Sequence, residues 1–517
     1  MDPYPAIVGG YARFREWQLA RVHADPVGVQ GRVLRSLLRR AARTAWGREF
    51  DFGSIRSVAE YQRRVPIQNY AAMRDWWQRC FDGEADVTWP GRPRFFAQTS
   101  GTTAGDKYVP VTPSLLRSHA KAAADVLVVY ARRGRERLRR VLGGRFLCLS
   151  GPTTFERRGA VRIGDMSGIA AGRVRWPLTR RYSPGRDLAA IADWEIKIQR
   201  IAERVARENI TFLTGLPSWV KVLLDQVVRA TGGSSPETIA AIWPNLTLFA
   251  HGGMFFEPYR PVFDTYFAGL DVDYLDVYSA SEASIGVQSD PGDPAMLMGL
   301  DHSIFYEFVP LADWGQPDPP RLTIADVEVG VPYVILVTTP AGLWSYDLGD
   351  VVRFTSLRPV KLRIAGRHRL FINAFGENII SEYVEAAVAH ACAETGARVH
   401  EYTAAPRYAD ATRPLPAHEY VIEFAAPPAD VEAFRRAIDA TLCACSQDYA
   451  IKRRGNVAMG CVEITLVPKG TFYAWMKQRN MLGGQHKVPR CANDRAHVDA
   501  LRKVAGLDVA RDEAAHR

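Results

Sequence analysis

Four stretches of this 517-residue chain combine residue types that could handle phosphate and carboxylate chemistry. The first is Phe95-Phe96-Ala97-Gln98-Thr99-Ser100-Gly101-Thr102-Thr103-Ala104-Gly105-Asp106-Lys107, in which positions 99–103 are all hydroxyl residues or glycine. Backbone N–H groups in a glycine-containing turn make an anion-binding concavity, and hydroxyls add donors. It is not a Walker loop: the Gly101-to-Gly105 spacing is one residue short, and no Ser or Thr follows Lys107. The second, Tyr278-Ser279-Ala280-Ser281-Glu282, follows an apolar run and offers one carboxylate, the kind of oxygen ligand that Mg²⁺ takes alongside substrate phosphate. The third, Tyr346-Asp347-Leu348-Gly349-Asp350, sets an acid after a glycine turn, where it can accept hydrogen bonds from ribose hydroxyls. The fourth, Gly483-Gly484-Gln485-His486-Lys487-Val488-Pro489-Arg490, holds one of only ten lysines in a glycine-flanked loop, the sort of segment that can close a cation over developing negative charge. Each, taken alone, also reads as an ordinary polar turn, helix cap or surface loop.

These stretches need elements to hold them. In Val29–Trp46, Val33, Leu34, Leu37 and Leu38 recur at helical spacing, which predicts an amphipathic helix. Downstream, Arg145–Leu149, Ile210–Leu213 and Leu246–Ala250 read as short buried strands, alternating with helices over Asp187–Glu208 and Pro217–Thr231. Strands are then expected at Val272–Tyr278, Ser303–Val309, Pro332–Thr338 and Val351–Phe354. The alternation indicates an α/β fold with buried sheets, ligands gathering at strand ends. After about residue 360 the pattern restarts: strand Leu362–Ala365, helix Ser381–Ala393, strand Tyr420–Phe424, helix Ala429–Ala444 and strand Val462–Val467. The expected organisation is a large N-terminal α/β domain, residues 1–362, and a smaller α+β domain, 363–517.

The four stretches, with Gly366-Arg367, occur in an order that resembles the acyl-adenylate-forming enzymes. The resemblance is closer to the auxin-responsive Gretchen Hagen family of acyl-acid amido synthetases, and to a bacterial-type member of it. It is carried further by Trp243-Pro244-Asn245-Leu246 leading to His251-Gly252-Gly253, by Phe256-Glu257-Pro258-Tyr259-Arg260 and by Tyr306-Glu307-Phe308-Val309-Pro310, and it runs from about residue 30 to 495. It implies a two-step reaction: a small carboxylic acid and ATP·Mg²⁺ give acyl-AMP and pyrophosphate, and an amine, usually an amino acid, then takes the acyl group. It places Ser100, Gly101, Thr102 and Thr103 on the phosphates and Glu282 on Mg²⁺. Tyr278, Ser279 and Ser281 fall on the adenine and ribose side, with Asp350 on the ribose hydroxyls. Lys487 is implied to bridge carboxylate and α-phosphate, and Arg367 to sit at an interdomain hinge and to touch the nucleotide as well, with Gly366 tolerating a change in backbone angles. Leu216, Trp219, Gly252 and Gly253 border the implied acyl site. Asp347 stands where the family usually has a basic residue, and the plant members are longer. A base for the amine could come from His251, His302 or His486, each of which has a structural reading too.

Composition narrows the rest. Hydrophobic residues make up 47% and charged residues 24%, as in globular proteins. The net charge of +10 comes from 66 Lys plus Arg against 56 Asp plus Glu. Arginine supplies nearly all the cations, and the basic run Arg132–Arg140 fits a solvated helix face, with no nucleic-acid reader motif beside it. The seven cysteines show no zinc spacing and suit reduced thiols. No apolar run approaches the roughly 20 residues a membrane span needs, and the N-terminus does not resemble a signal peptide, so a cytoplasmic location, as monomer or weak oligomer, is expected. Two other functions share parts of this pattern: an acyl-coenzyme A ligase, and a non-catalytic adenylate-binding protein.

Overall fold

The computed structural model describes the chain except residues 1–3, 100–106, 175–177, 254–255, 258, 291, 368–370, 373–376, 378, 409–412, 414, 454–458, 480, 483–486 and 508–517. It divides into two compact units. The larger is built chiefly of Met1–Met254 and Tyr266–Arg363, and the smaller of Phe255–Thr265, Ile364–Leu482 and His486–Arg517.

Two sheets organise the larger unit. Its early strands are β1 (Phe95–Thr99), β2 (Lys107–Val111), β3 (Arg145–Cys148), β4 (Glu156–Arg158), β5 (Val161–Gly164) and β6 (Tyr182–Ser183). Then come β7 (Ile210–Gly215), β8 (Leu248–Gly252), β9 (Asp273–Ser279), β10 (Ser284–Gln288) and β11 (Met296–Met298). The series ends with β12 (Phe305–Pro310), β13 (Pro332–Thr339), β14 (Leu343–Leu357) and β15 (Val360–Arg367), the last running on into the smaller unit. Eleven of these form one sheet in the order β12-β13-β14-β15-β11-β10-β9-β8-β7-β3-β6. From β6 to β9 neighbouring strands are parallel, and β10 turns the pairing antiparallel. A four-stranded sheet, β2-β1-β5-β4, carries the hydroxyl-rich loop as the connection of its β1–β2 hairpin, whose last register pair is Thr99 with Lys107.

Local chemistry explains the helix boundaries. The first amphipathic helix runs Pro26–Ala41 rather than to Trp46: Asp25 caps it by accepting from the Gly28 N–H, and Thr44 caps a separate short helix, Ala45–Glu49. Its inward stripe, Val29, Leu34, Leu37 and Leu38, is buried. The helix expected over Asp187–Glu208 is two, Arg186–Ala189 and Trp194–Val205, because Asp193 starts the second by accepting from the Ile196 N–H. Ser303 has φ of 61°, so the strand expected from Ser303 begins at Phe305 instead. The basic run forms part of helix Arg135–Leu142; Leu138 is buried, and Arg133 and Arg137 pair with Asp273.

The smaller unit is α+β. Strands β16 (Phe371–Ile372) and β17 (Ile379–Ile380) pair, and β18 (Arg398–Arg407), β19 (Ala417–Ala426) and β20 (Glu463–Leu466) make a three-stranded sheet. Helices Ser381–Thr395 and Val431–Cys445 bury Val384, Val388, Phe434 and Ile438 in a core shared with Tyr402, Tyr420 and Ile422. None of the seven cysteines is in a disulfide. Among the described residues no helix is long and apolar enough to cross a membrane.

Candidate active site

Three consecutive parallel strands, β7, β8 and β9, end side by side, which is where α/β sheets present ligands. The residues at and just after their ends are those singled out from sequence: Leu216, Gly252-Gly253 and Ser279 to Glu282. Gly252 pairs with Val277 across β8 and β9, and a Cβ there would lie 2.1 Å from the Val277 carbonyl oxygen, so this close approach needs glycine. A Cβ on Gly253 would meet Leu216 Cδ1 at 2.9 Å, which places these two predicted acyl-side residues against each other. Trp219 follows on helix Pro217–Ala230, but it is 4% exposed and packs edge-on against Trp194, with ring centroids 4.9 Å apart. Its visible role is in the core.

Tyr278, at the end of β9, donates its hydroxyl to Asp350 Oδ2 at 2.7 Å, and both are buried. The fold thus joins two predicted nucleotide residues that are far apart in sequence. Behind Asp350, β14 is braced by Glu307. This fully buried acid accepts from Ser345 Oγ at 2.7 Å and from Gln62 Nε2 at 3.2 Å. Burial raises its pKa, with Arg321 opposing. The motif Tyr306–Pro310 therefore marks a structural strut. Asp347 accepts from the Gly349 N–H at 2.7 Å and shapes the turn before Asp350.

The β9–β10 turn carries Ser281 and the partly exposed Glu282 and is closed by the Ala280 N–H bonding to the Ala283 carbonyl at 2.8 Å. A network that the sequence did not disclose supports it. Ser279 Oγ and Ser284 Oγ are 2.8 Å apart, and His119 Nδ1 is 2.6 Å from Ser284 Oγ. Burial lowers the His119 pKa to about 4, so the imidazole is neutral at physiological pH. His302 contacts the Ser284 carbonyl at 3.5 Å and Asp125 Oδ2 at 2.9 Å, an arrangement of support rather than of a free base. Asp125 and Asp301 with His302 have the composition of a metal site, but Arg15 bonds both carboxylates at 2.7–2.8 Å and Lys121 bonds Asp301 at 2.7 Å. The cations already balance the acids. Burial pushes the Asp125 pKa up, but its bonds to Arg15 and His302 outweigh that and hold it below the usual carboxylate range. His251 is buried in β8 beside Phe249. Spacing gave no signal for Arg15, His119 or Asp125, since Arg15 reaches Asp125 and Asp301, and His119 reaches Ser284, from more than 100 positions away.

In the smaller unit, Lys487 is partly buried and the residues after it are fixed. Arg490, 6% exposed, donates to Glu401, to the Tyr402 carbonyl at 3.1 Å and to Tyr259 Oη at 2.8 Å; Tyr259 in turn donates to Glu401 at 2.8 Å. Burial opposes the guanidinium charge, but Glu401 and Tyr259 hold it protonated. The Ala404 N–H bonds to the Arg490 carbonyl and the Ala492 N–H to the Ala404 carbonyl, both at 3.0 Å, so the segment runs along β18. Gly366 has φ of 135°, open to glycine and rare for other residues, and a Cβ there would lie 3.2 Å from Ser381. Ser100, Gly101, Thr102, Thr103 and His486 lie outside the described residues, as does the side chain of Arg367.

Family models place these elements. The GH3 family N-terminal domain matches residues 16–170 and 162–272, the GH3 family central domain 297–367 and the GH3 family C-terminal domain 382–496. The chain belongs to the GH3 family. Among GH3 relatives, it is 24% identical to indole-3-acetic acid-amido synthetase GH3.4 of Arabidopsis thaliana, over 92% of this chain and 91% of the relative. It is 28% identical to indole-3-acetic acid-amido synthetase GH3.8 of Oryza sativa subsp. indica, over 54% of this chain and 49% of that one. The GH3.15 acyl acid amido synthetase structure superposes with a TM-score of 0.76 at 17% identity, covering 93% of each chain. A 2-hydroxyisobutyryl-CoA ligase in its postadenylation state superposes at 0.56 and 15% identity, over 92% of this chain and 91% of the ligase. These likenesses define the fold: mixed α/β, shared by GH3 proteins and acyl-adenylate-forming ligases, with a large N-terminal region and a smaller C-terminal domain.

Proposed function

We propose that this GH3 protein adenylates a small or aromatic carboxylic acid with ATP and transfers the acyl group to the amine of an amino acid. It is an ATP-dependent ligase that makes an amide bond. The observation that carries the nucleotide assignment is the buried Tyr278–Asp350 pair at the end of β9. A carboxylate offers several acceptor lone pairs, the kind of group that can take both hydroxyls of a ribose. Glu282, on the turn beside it, presents a partly exposed carboxylate. That donor suits Mg²⁺, which when bound would neutralise charge on the triphosphate.

In the first step the substrate carboxylate oxygen attacks the α-phosphorus, the bond to the pyrophosphate oxygen breaks, and pyrophosphate leaves. Donors from Ser100, Gly101, Thr102 and Thr103 and the ammonium of Lys487 stabilise the added charge. In the second step the amine nitrogen attacks the carbonyl carbon, AMP departs, and the nitrogen gives up a proton. Leu216, Gly252 and Gly253 border the acid, with Trp219 supporting from the core. Ser279 and Ser281 face the nucleotide. Residues 1–362 act as the nucleotide- and acid-binding domain and 363–517 as a lid that turns about Gly366-Arg367. The arginine-heavy cation set suits a bacterial-type member.

The test is exchange of labelled pyrophosphate into ATP, run with a panel of carboxylic acids, followed by mass spectrometry of products formed with each amino acid and with coenzyme A. Acid-dependent exchange and an amide product are expected. A thioester in place of an amide would make the chain an acyl-coenzyme A ligase, and no exchange with any acid would leave only adenylate binding.

A further inference from the structure

At the start of β1 and β5, away from the hydroxyl-rich loop that follows β1, the larger unit has an open cavity of about 870 Å³. Five arginines line it, Arg92, Arg94, Arg157, Arg162 and Arg173, together with Phe95 and Phe155, and its lining contains no carboxylate. Among the described residues none of the five forms an ion pair. The nearby acids are engaged elsewhere: Glu156 with Arg158 at 3.2 Å, and Glu84 with Arg79.

The register makes this arrangement costly. Arg157 on β4 lies directly opposite Arg162 on β5, and Arg162 lies opposite Phe95 on β1. Like charges directly opposed on neighbouring strands destabilise a sheet. Two guanidiniums, those of Arg162 and Arg173, stand 5.8 and 5.2 Å from the centre of the Phe95 ring, which Phe155 meets edge-on at 5.2 Å. Guanidinium forks match phosphate oxygens in pairs, and five of them suit an anion of several charges; a monocarboxylate would leave most of the repulsion in place. The volume falls in the range of small-molecule sites, and a concave cleft encloses a small ligand rather than following an extended backbone. The partly exposed Phe155 offers a face for a stacked ring.

We propose that this cleft binds a nucleoside polyphosphate at a second site, its phosphates among Arg94, Arg157 and Arg162 and its base against Phe155. β1 rises about 13 Å between Phe95 and Thr99, so this site and the hydroxyl-rich loop lie at opposite ends of one strand.

The experiment is calorimetric titration of the full-length protein with ADP, with inorganic pyrophosphate and with a single-stranded oligonucleotide, for wild type, Arg157→Ala/Arg162→Ala and Phe155→Leu. The double variant should lose one equivalent of ADP, whatever number the wild type binds, with at least about a tenfold loss of affinity per arginine at that site. Its pyrophosphate–ATP exchange should stay within twofold of wild type. Phe155→Leu should weaken ADP several-fold and leave pyrophosphate unchanged. With repulsion relieved, the double variant should melt at or above the wild-type temperature at low salt. Unchanged ADP stoichiometry in the double variant would overturn the proposal. So would pyrophosphate binding as tightly as ADP, the oligonucleotide binding more tightly than ADP, or a double variant melting well below wild type, which would mean the arginines serve the fold.

Discussion

Arg490→Met tests how the segment after Lys487 is held. The substitution removes the guanidinium from Glu401, Tyr259 Oη and the Tyr402 carbonyl and leaves the Glu401 carboxylate in a site 6% exposed, with the Tyr259 hydroxyl its remaining side-chain donor among the described contacts. Breaking a buried ion pair from one side costs about 3–5 kcal/mol. For a unit of this size that lowers the melting temperature by about 6–20 °C. Tyr259→Phe/Glu401→Leu/Arg490→Met removes the polar atoms together and should recover most of that loss, because an apolar replacement of a buried pair is often neutral. Measuring both melting and pyrophosphate–ATP exchange separates stability from positioning. The triple variant is expected to melt near wild type yet exchange at least about tenfold more slowly, since Lys487 has lost its fixed neighbour. A single variant melting within 2 °C of wild type would refute the energetic argument, and a triple variant exchanging at the wild-type rate would refute the positioning argument.

Lys487→Ala should cut pyrophosphate–ATP exchange severely while leaving melting unchanged; undiminished exchange would remove the lysine from the adenylation step. Asp350→Ala removes the proposed ribose acceptor and should weaken ATP through the loss of two hydrogen bonds, each worth about 1.5–3 kcal/mol, whereas Tyr278→Phe deletes only the bond that orients Asp350 and should weaken ATP by less; calorimetry with wild-type affinity in Asp350→Ala would exclude the ribose assignment. Gly252→Ala drives a Cβ to 2.1 Å from the Val277 carbonyl oxygen and should destabilise the larger unit measurably in thermal melts, far more than Ala at the exposed Gly10, where nothing lies within 4 Å. Burial lowers the pKa of both His23 and His119 to about 4 from an ordinary 6.5, so between pH 6.5 and 4 the unfolded chain takes up protons that the fold refuses. Stability is complete above pH 6.5 and is lost as pH falls toward 4. A chain carrying His119→Phe should show a shallower fall across that window in denaturant titrations.

Much of the larger unit was legible because its signals are local. Apolar runs marked β7, β8 and β9, and small residues or an acid at their ends marked the crevice. The helix boundaries were less visible, because capping by Asp25, Thr44 and Asp193 decides them and an apolar stripe does not report caps. Tyr278 and Asp350 were each suspect by motif, but their mutual bond is a tertiary fact. The props, His119 under Ser284 and Arg490 under Glu401, were not legible: each pairs with a residue distant in sequence, and neither sits at a telltale spacing. Tyr306–Pro310 was recognisable as a pattern, whereas its purpose, a buried Glu307 holding Ser345, emerges only from the packing.

Neither unit is a single uninterrupted length of chain. The short stretch Phe255–Thr265 leaves the larger unit, lends Tyr259 to the smaller one, and returns. A fragment beginning at Ile364 would therefore carry Glu401 and Arg490 with no tyrosine to complete their buried set, and a fragment ending at Arg363 would strand that tyrosine without its acid. Dissection at one cut point damages both halves, so the smaller unit can complete its buried set only after its own segments on either side of Tyr266–Arg363 have both been made and brought together.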